Sequence, residues 1–384
     1  MRLEICFAPG QADPEPTPHT MTNHSSTTAQ KNYPNYGIER LELEISSIEV
    51  LNQFFKPGVT FSPPPPVPDE REDQNVPRLR KIGEGSRVTA FEVIGESVVL
   101  RKYYDELGRL AGGDFENIAH VAKGFAEYRP RYGIPVKVPE ILDIPGEDSE
   151  YWKYYWLDYE DNISPVYWHA YSTPATKMSL MHSVPTIVRR ALISQYHSRG
   201  SAPIDTCVVD KILNREENNH CLVHPCLGLE MVQRPRGNFT LRGFQLSLRD
   251  MENIGMDLEN LTATLGDALA FLNFKCGRVS TLARFAFGAS PINSEAPNGP
   301  LAICLYLHHF QLAHEDGGCD RDPFEELVRG MSKYIPDCQK TPLLWGVFKT
   351  AYIKRGNECR SASLEYTPEE VMKEYEEYVA RKSS

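Results

Sequence analysis

The feature that most constrains the fold of this chain is a long apolar helix followed closely by an apolar strand. From Asp257 to Phe274 leucines recur at helical spacing, which predicts a helix with one apolar face. Asp257 is its predicted N-cap, because a short acidic side chain can accept hydrogen bonds from the first turn. The run from Leu301 to Phe310 begins with a continuous apolar stretch, as buried strands do. We expect the rest of the chain to be organised around this helix and this strand.

Length, charge and cysteine content limit the class of protein. The chain has 384 residues, 41% of them hydrophobic, enough for one large two-lobed domain or two ordinary ones. The formal net charge of -11 argues against a nucleic-acid surface or an anionic membrane surface, since both need concentrated Lys and Arg. No apolar run is long enough for a membrane span, and residues 1–10 lack the pattern of a signal peptide. Nine cysteines, an odd number, fit reduced thiols and predict a cytoplasmic protein.

The N-terminal residues predict an extension rather than a domain. Residues 1–35 are rich in Thr, Ser, Pro and Asn, and they contain too few apolar side chains to offset the cost of ordering. A short amphipathic helix is predicted within residues 38–55, packed on the exterior of the domain. The proline run at 62–69 predicts a stiff, extended spacer. We therefore assign residues 1–76 to a largely disordered extension and place the start of the folded domain near Pro77.

The first folded segment predicts strands joined by tight turns. The runs Ile82–Phe91 and Ser97–Lys102 are strand-like, with a turn at Gly95 and Glu96 between them. A helix is predicted from Asp114 to Tyr128, and a strand framed by prolines from Ile134 to Leu142. These elements predict a small, strand-rich lobe that contains one long helix.

Two spacings in this lobe resemble the phosphate-binding parts of kinases. Gly83-x-Gly85 lies in the first hairpin, although the third glycine of the kinase loop is missing. The segment that begins at Val98 is spaced like the Val-Ala-Ile-Lys strand, with Arg101 in place of the lysine and Lys102 after it. Arg101 can hold an anion or pair with a helix carboxylate such as Glu116. The sequence thus predicts a vestigial anion site at Gly83, Gly85, Arg101, Lys102 and Glu116, with both uses of Arg101 open.

The carboxylates of a kinase centre are missing from the places that the layout assigns to them. A phosphotransferase needs one carboxylate to orient the attacking hydroxyl and another to hold the metal. Between Lys275 and His314 the single acidic residue is Glu295. The strand that should precede a metal-binding acid ends in His308 and His309, which are our candidate catalytic residues, because an imidazole can act as acid or base near neutral pH. The sequence predicts no metal site and no cofactor.

The chain resembles the fungal family called domain of unknown function 3669, which is itself distantly protein-kinase-like. The resemblance covers roughly Lys81 to Lys354. It is carried by segments in four places along the chain, with sequence motifs LMHSVP (180–185), VRRALI (188–193), CLVHPCLG (221–228) and FTLRGFQLSLRDMENIGMD (239–257). The family pattern has an aspartate-containing segment after the long helix and an Asp-Phe pair on the next strand. Here those places hold Val279–Phe285 and His308–Phe310. The resemblance implies a kinase-like fold but brings no activity with it.

Other groups of chemically active side chains have simpler interpretations. His220, Cys221, His224 and Cys226 lie within seven residues, but a strand sends alternate side chains to opposite faces, so buried cysteines and hydrogen-bonded histidines are expected rather than a zinc site. The strongly aromatic residues 151–171 predict core packing or, alternatively, a stacking platform for a flat ligand. Asp205, Asp210 and Asp267 are carboxylates to which the sequence assigns no partners.

These observations predict an α+β, two-lobed kinase-like fold. The small β-rich N-lobe covers residues 77–129 and the mostly helical C-lobe residues 130–384. The first functional hypothesis is a catalytically degraded kinase-like protein that binds a small apolar ligand or a protein partner without phosphotransfer. An alternative is a cofactor-free cyclase of a fungal secondary-metabolite pathway, since an intramolecular cycloaddition needs proximity rather than a nucleophile. A third is an active small-molecule kinase. The sequence does not predict the oligomeric state.

Overall fold

The structure is a computed structural model of the chain. It describes residues 45–56, 58–61, 79–84, 88–103, 109–143, 175–197, 204–232, 234, 239–276, 283–292, 300–308, 333–361, 364 and 366–383. The strands are β1 Thr60–Phe61, β2 Leu79–Glu84, β3 Val88–Val93, β4 Val98–Tyr103, β5 Val136–Lys137, β6 Ile141–Asp143, β7 Ala175–Ser179, β8 Val223–Cys226, β9 Phe244–Ser247, β10 Arg284–Pro291 and β11 Leu301–His308. The helices are α1 Ser47–Phe54, α2 Arg109–Ala126, α3 Thr186–Tyr196, α4 Thr206–Leu213, α5 Leu248–Ile254, α6 Leu258–Phe274, α7 Pro342–Cys359 and α8 Pro368–Ser383.

The small lobe is an antiparallel sheet with one long helix. Its described strands are ordered β2-β3-β4-β7-β6, and helix α2 follows β4 and contacts β6 and β7. Kinases have the same succession of a glycine-containing hairpin, a third strand with the phosphate-binding cation, and a helix. The expected turn is present, with Gly95 at φ +91 and the Glu96 N–H donating to the Val93 carbonyl at 3.0 Å. The chain therefore has a kinase-like small lobe, but β6 and β7 extend its sheet beyond the predicted end of the lobe at residue 129.

The two faces of this sheet have different surroundings. Val99 and Met178 are cross-strand partners on the inner face, and both belong to the main hydrophobic core. Val93, Val98 and Leu100 form a separate small cluster. Because side chains alternate along a strand, residues 99 and 101 share the inner face of β4, whereas 100 and 102 share the outer one.

Helix α6 is the centre of the large lobe. All fourteen residues from Leu261 to Phe274 are buried, which is typical of a helix surrounded by core on all sides. The Asp257 side chain accepts from the Asn260 N–H at 3.0 Å, so the predicted N-cap is confirmed. Helix α7 packs along α6 at close range, because a Cβ added at Gly266 would lie 2.7 Å from the Phe348 carbonyl oxygen. The helix singled out in the sequence is thus the core of this lobe.

A second sheet shares the main hydrophobic core with α6. The strands follow the order β1-β11-β10-β8-β9 among the described residues, and β5 pairs with β11 in parallel. Strands β10 and β11 form an antiparallel hairpin whose register runs from the Arg284–His308 pair to the Pro291–Leu301 pair. Ser247 and Asp250 form a capping box where α5 begins. Together with the small lobe, this arrangement is a two-lobed, kinase-like α+β fold.

Residues before Pro77 contribute to the large lobe. In α1, Leu51 is fully buried and Phe54 is 6% exposed. Phe55, just after α1, has its ring 5.1 Å from that of Phe287 on β10. Strand β1 then pairs with β11 through Phe61 and Leu301. The folded part of the chain therefore extends N-terminal to the boundary that the sequence predicted near Pro77.

The predictions for residues 134–142 and 151–171 have different outcomes. The predicted strand from Ile134 to Leu142 is wrong as a single element, since it forms β5 in one sheet and β6 in the other. The final helix, α8, is capped by Thr367 together with Glu370. Residues 151–171 lie outside the described residues. None of the helices in the described part of the chain has the length and apolar character needed to cross a membrane.

Candidate functional site

The end of the β10–β11 hairpin at which β10 begins and β11 finishes corresponds to the catalytic end of a kinase. Helix α6 leads toward it, and Arg284 and His308 are paired there across the two strands. The rings of His308 and His224, the latter on β8, have centroids 5.7 Å apart. His308 is thus placed at this end beside a second imidazole, whereas the other candidate, His309, lies outside the described residues.

His224 is a neutral hydrogen-bond donor. Its Nδ1 lies 2.8 Å from the Phe285 carbonyl oxygen, which can only accept, so Nδ1 carries the proton. Burial lowers the pKa of His224 to about 4, and the positive charges of Lys333 and Arg284 act in the same direction. A kinase holds a divalent metal at this position with acidic side chains. Here the described residues place the imidazoles of His224 and His308 and the cations Arg284 and Lys333.

The predicted vestigial anion site is divided between the two faces of β4. Arg101 lies on the inner face, with Nη1 3.9 Å from the Met178 Sδ and its guanidinium 5.4 Å from the centre of the Tyr103 ring. Lys102 lies on the opposite face and is buried, which lowers its pKa to about 8. Adjacent residues of a strand cannot both face one ligand.

The remaining members of the predicted anion site are placed apart as well. Gly83 is paired with Ala90 within the small-lobe sheet. Glu116 is exposed on α2, and Gly85 lies outside the described residues. The described parts of this site therefore contribute single residues rather than a cluster.

The His220–Cys226 segment has the predicted structural role. Nε2 of His220 lies 2.9 Å from the Met181 carbonyl oxygen, and His224 is bonded as described above. Cys221 and Cys226 are fully buried, and burial raises the pKa of Cys221 to about 12 and that of Cys226 to about 11. These thiols are inert at neutral pH, and buried cysteines with hydrogen-bonded histidines are confirmed.

A cavity of about 180 Å³ lies at the open edge of the small-lobe sheet, where β2 faces the large lobe. Its lining residues come from three separate stretches of chain: Lys81, Ile82, Glu217, His220 and Arg242. Ile82 sits at an irregularity in the β2–β3 register, between the Lys81–Phe91 and Gly83–Ala90 pairs. Bulges of this kind re-aim a side chain and are common beside binding sites.

The large-lobe wall of this cavity is held by a buried asparagine. Asn218 is fully buried; its Nδ2 donates to the Ile212 carbonyl at 2.7 Å, and its Oδ1 accepts from the Leu241 N–H at 2.7 Å. Arg189 donates from Nη1 to the Asn218 carbonyl at 2.8 Å. Asn218 therefore ties the segment with Glu217 to the turn with Arg242.

The cavity is polar and carries an excess of positive charge. Lys81 pairs with Glu84 at 2.7 Å, and the Arg80–Glu92 pair lies beside it at 2.6 Å. Arg242 makes no ion pair within the described residues. The sequence analysis proposed a small apolar ligand or a protein partner, and four of the five lining side chains of this cavity are charged or polar.

The segment that joins the lobes has its backbone groups bonded to the protein. The His182 N–H donates to the Ala289 carbonyl at 3.2 Å, and the Ala289 N–H donates to the His182 carbonyl at 2.9 Å. Leu180 and Val184 donate to the carbonyls of Ser97 and Cys221. A nucleotide base placed against this segment would have to compete with these bonds.

The carboxylates left unassigned by the sequence are structural. Asp205 caps α4, and Asp210 pairs with Arg190 at 2.6 Å. Asp267 is fully buried and bonded to Arg355 and Tyr128. Sequence reasoning missed Lys81, Glu217 and Arg242 as neighbours, because ordinary surface charges far apart along the chain give no signal of a shared cavity.

Comparisons with known proteins give one kind of similarity. No protein-family model matches the chain, and no curated protein matches it. Solved structures that match include a thermostable aminoglycoside phosphotransferase mutant in ternary complex with ADP and hygromycin B, at 12% identity over 80% of this chain and 95% of that one, with a TM-score of 0.20. A microcompartment-associated aminopropanol kinase matches at 8% identity over 79% and 89%, with a TM-score of 0.23. The kinase-like fold is evident from the strand order and helix placement described above.

Proposed function

We propose that this chain is a kinase-like binding protein that does not transfer phosphate. The observation that carries the proposal is the composition of the hairpin end at Arg284 and His308. Magnesium in phosphotransferases is held by carboxylates and phosphate oxygens. Here the described side chains around that position are His224, His308, Arg284 and Lys333. Magnesium prefers oxygen ligands and is repelled by cations, so neutral imidazoles with Arg284 and Lys333 beside them do not suit it, which supports a loss of magnesium-dependent chemistry.

Glu295 is the single acidic residue between Lys275 and His314. Glu295 belongs to the connection between β10 and β11, which the chain enters and leaves at the Pro291–Leu301 pair. That pair is at the opposite end of two eight-residue strands from the Arg284–His308 pair. A strand rises about 3.4 Å per residue, so the two ends are about 24 Å apart. This separation favours a binding role for the cleft between the two lobes.

We include membership of the fungal family in this proposal, but the hairpin end at Arg284 and His308 is what supports it. A binding or accessory role in the cytoplasm agrees with the acidic charge and the free thiols described for the sequence. The cyclase alternative depends on the aromatic residues 151–171, which lie outside the described residues, so no contact in the structure favours it.

The test is magnesium-dependent nucleotide binding. With ATP and MgCl2 at about 5 mM each, we expect no rise in the thermal unfolding midpoint over that given by MgCl2 alone, because ligands that bind the native state stabilise it by mass action. The same samples should release no ADP above a buffer control. A magnesium-dependent rise together with ADP release would show an active kinase and contradict the proposal.

A further inference from the structure

The cavity between β2 and the large lobe differs in position and chemistry from the vestigial anion site. It lies at the edge strand β2, whereas Arg101 and Lys102 lie on β4, two strands further into the sheet. Its walls come from β2, from the segment after α4 and from the turn before β9. Each wall contributes a charged side chain: Lys81, Glu217 and Arg242.

Charge is the first property that points to a ligand. The cations in and beside the cavity are Arg80, Lys81, Arg189, Arg215 and Arg242, and the carboxylates are Glu84, Glu92 and Glu217. Among the described residues five cations face three carboxylates, and Glu217 lies 4.0 Å from Arg215. Arg242, on the cavity wall and without an ion pair there, offers a planar fork of donors that suits a carboxylate or a phosphate group.

The tautomer of His220 is the second property. Its Nε2 must donate to the Met181 carbonyl, 2.9 Å away, and burial lowers the pKa of His220, so the ring is neutral. Nδ1 then holds a lone pair, for which the described residues supply no donor. A ligand that placed a hydroxyl or amine hydrogen beside His220 would satisfy it, and the Glu217 carboxylate offers a second acceptor on the same wall.

Size and rigidity are the remaining properties. A volume of about 180 Å³ is below the roughly 300–1,000 Å³ of drug-sized pockets, which favours a small metabolite as the ligand. Asn218 and Arg189 fix the large-lobe wall through buried hydrogen bonds. A wall that is held before the ligand arrives binds with little ordering cost.

We propose that this cavity binds a small hydroxylated anion, with Arg242 and Lys81 holding its carboxylate or phosphate and His220 and Glu217 accepting from its hydroxyl groups. The inference deepens the proposed binding function of the cleft and depends on it for its biological meaning. The anion can be a carboxylate or a phosphate monoester, since both present oxygen pairs to the same cations.

The experiment is calorimetric titration of the full chain at constant ionic strength with three probes. Glycerol 3-phosphate and glycerate carry hydroxyl groups with a phosphate or a carboxylate, and glycerol is the neutral control. We expect saturable binding of at least one anion, at a Kd of about 1 mM or tighter, and none of glycerol. Which anion binds distinguishes the two sources. Failure of both anions to bind at about 10 mM, or equal binding of glycerol, overturns the inference.

Variants assign the binding to this cavity. Arg242→Gln and Lys81→Gln should each weaken the anion about 10-fold or more, because each removes a charge-assisted hydrogen bond. Arg249→Gln is the matched control, since Arg249 is exposed on α5 and contacts the Met231 Sδ at 3.8 Å, outside the cavity lining. Equal losses in the Arg242 and Arg249 variants would overturn the site. The titration uses no ATP, so an active kinase would contradict the proposed function and leave this result intact.

Discussion

At the scale of single residues, the buried carboxylate of Asp267 has the most demanding environment in the described structure. It accepts from Arg355 Nε and Nη2 at 2.8 Å each and from the Tyr128 hydroxyl at 2.8 Å. Arg131 Nε lies 3.5 Å away. Because Arg355 also donates to the Arg129 carbonyl, this network joins α6 and α7 to the segment that follows α2. Its role is to hold the lobes in place rather than to react.

Replacing Asp267 with Asn should destabilise the protein strongly. The substitution removes the charge that balances Arg355, and breaking a buried pair costs about 3–5 kcal/mol. Asp210→Asn is the control, because the Asp210–Arg190 pair has side chains 48% and 28% exposed, and such a pair contributes at most about 1 kcal/mol. The free energies of unfolding from urea titrations at pH 7 measure both. Similar losses in the two variants would show that the network is not a buried lock.

At the scale of elements, the contact between α6 and α7 depends on a missing side chain. A Cβ at Gly266 would lie 2.7 Å from the Phe348 carbonyl oxygen and 3.4 Å from the Ala351 Cβ. A backbone oxygen inside a helix cannot move without shifting the helix. Gly266 thus sets how closely the two helices approach.

Gly266→Ala should therefore lower stability by about 1–3 kcal/mol, the usual range for overpacking. Gly346→Ala provides the opposite control, because Gly346 lies within α7 with nothing within 4 Å of its added Cβ. There an alanine should raise stability by about 0.5–1 kcal/mol, since glycine is a poor helix former. Thermal unfolding of the two variants measures both signs. A stabilised Gly266→Ala variant would mean that the helices are further apart than the structure shows.

The elements that the sequence predicted are those whose signals are local. The predicted N-cap at Asp257 depends on residues within three positions, and it is formed; the caps at Ser247 and Thr367 are equally local. Strand β10 was not predicted, because Gly288 and Pro291 resemble loop residues. Its partners β8 and β11 supply the hydrogen bonds, and Gly288 admits the chain that joins the lobes, since a Cβ there would lie 2.9 Å from the His182 carbonyl oxygen.

The candidate site, too, could be predicted from the sequence only where its signals are local. The position of Arg101 on the inner face of β4 follows from local spacing, and the sequence placed it correctly on that strand. The cavity could not be predicted, because Lys81, Glu217 and Arg242 become neighbours only through the packing of β2 on the large lobe. A bulge at Ile82 and a buried side chain at Asn218 complete it, and neither leaves a recognisable pattern in the sequence.

At the scale of the whole molecule, two of the segments that join the lobes lie in the described part of the chain and are hydrogen-bonded to the protein. The stretch from Ile134 to Leu142 places β5 in the large-lobe sheet and β6 in the small-lobe sheet within six residues of each other. The second connection, from Leu180 to Val184, is fixed through the His182–Ala289 bridge. These two connections favour a cleft of constant shape, which suits binding of a small ligand more than the closing movement of a catalytic cycle.

The N-terminal segment is a further part of this assembly, and its removal should unfold the large lobe. A chain that begins at Ser62 loses Leu51, Phe54 and Phe61 from the core, and Phe287 loses its aromatic neighbour. Each such loss costs about 2–5 kcal/mol, and together they reach the whole stability of a typical domain. A chain that begins at Tyr36 keeps α1 and β1 and removes residues whose composition predicts no packing.

Circular dichroism and the thermal unfolding midpoint compare the two shortened chains with the full one. We expect the chain from Tyr36 to match the full chain and the chain from Ser62 to show no cooperative transition.

Leu51→Ala and Ile48→Ala refine the test within α1, because Leu51 is fully buried and Ile48 is 37% exposed. The first should lower stability by about 2–5 kcal/mol and the second by less than about 1 kcal/mol. If the chain from Ser62 unfolds cooperatively at the same midpoint as the full chain, the prediction is wrong. The core would then be complete without α1 and β1, and the folded domain would begin near Pro77.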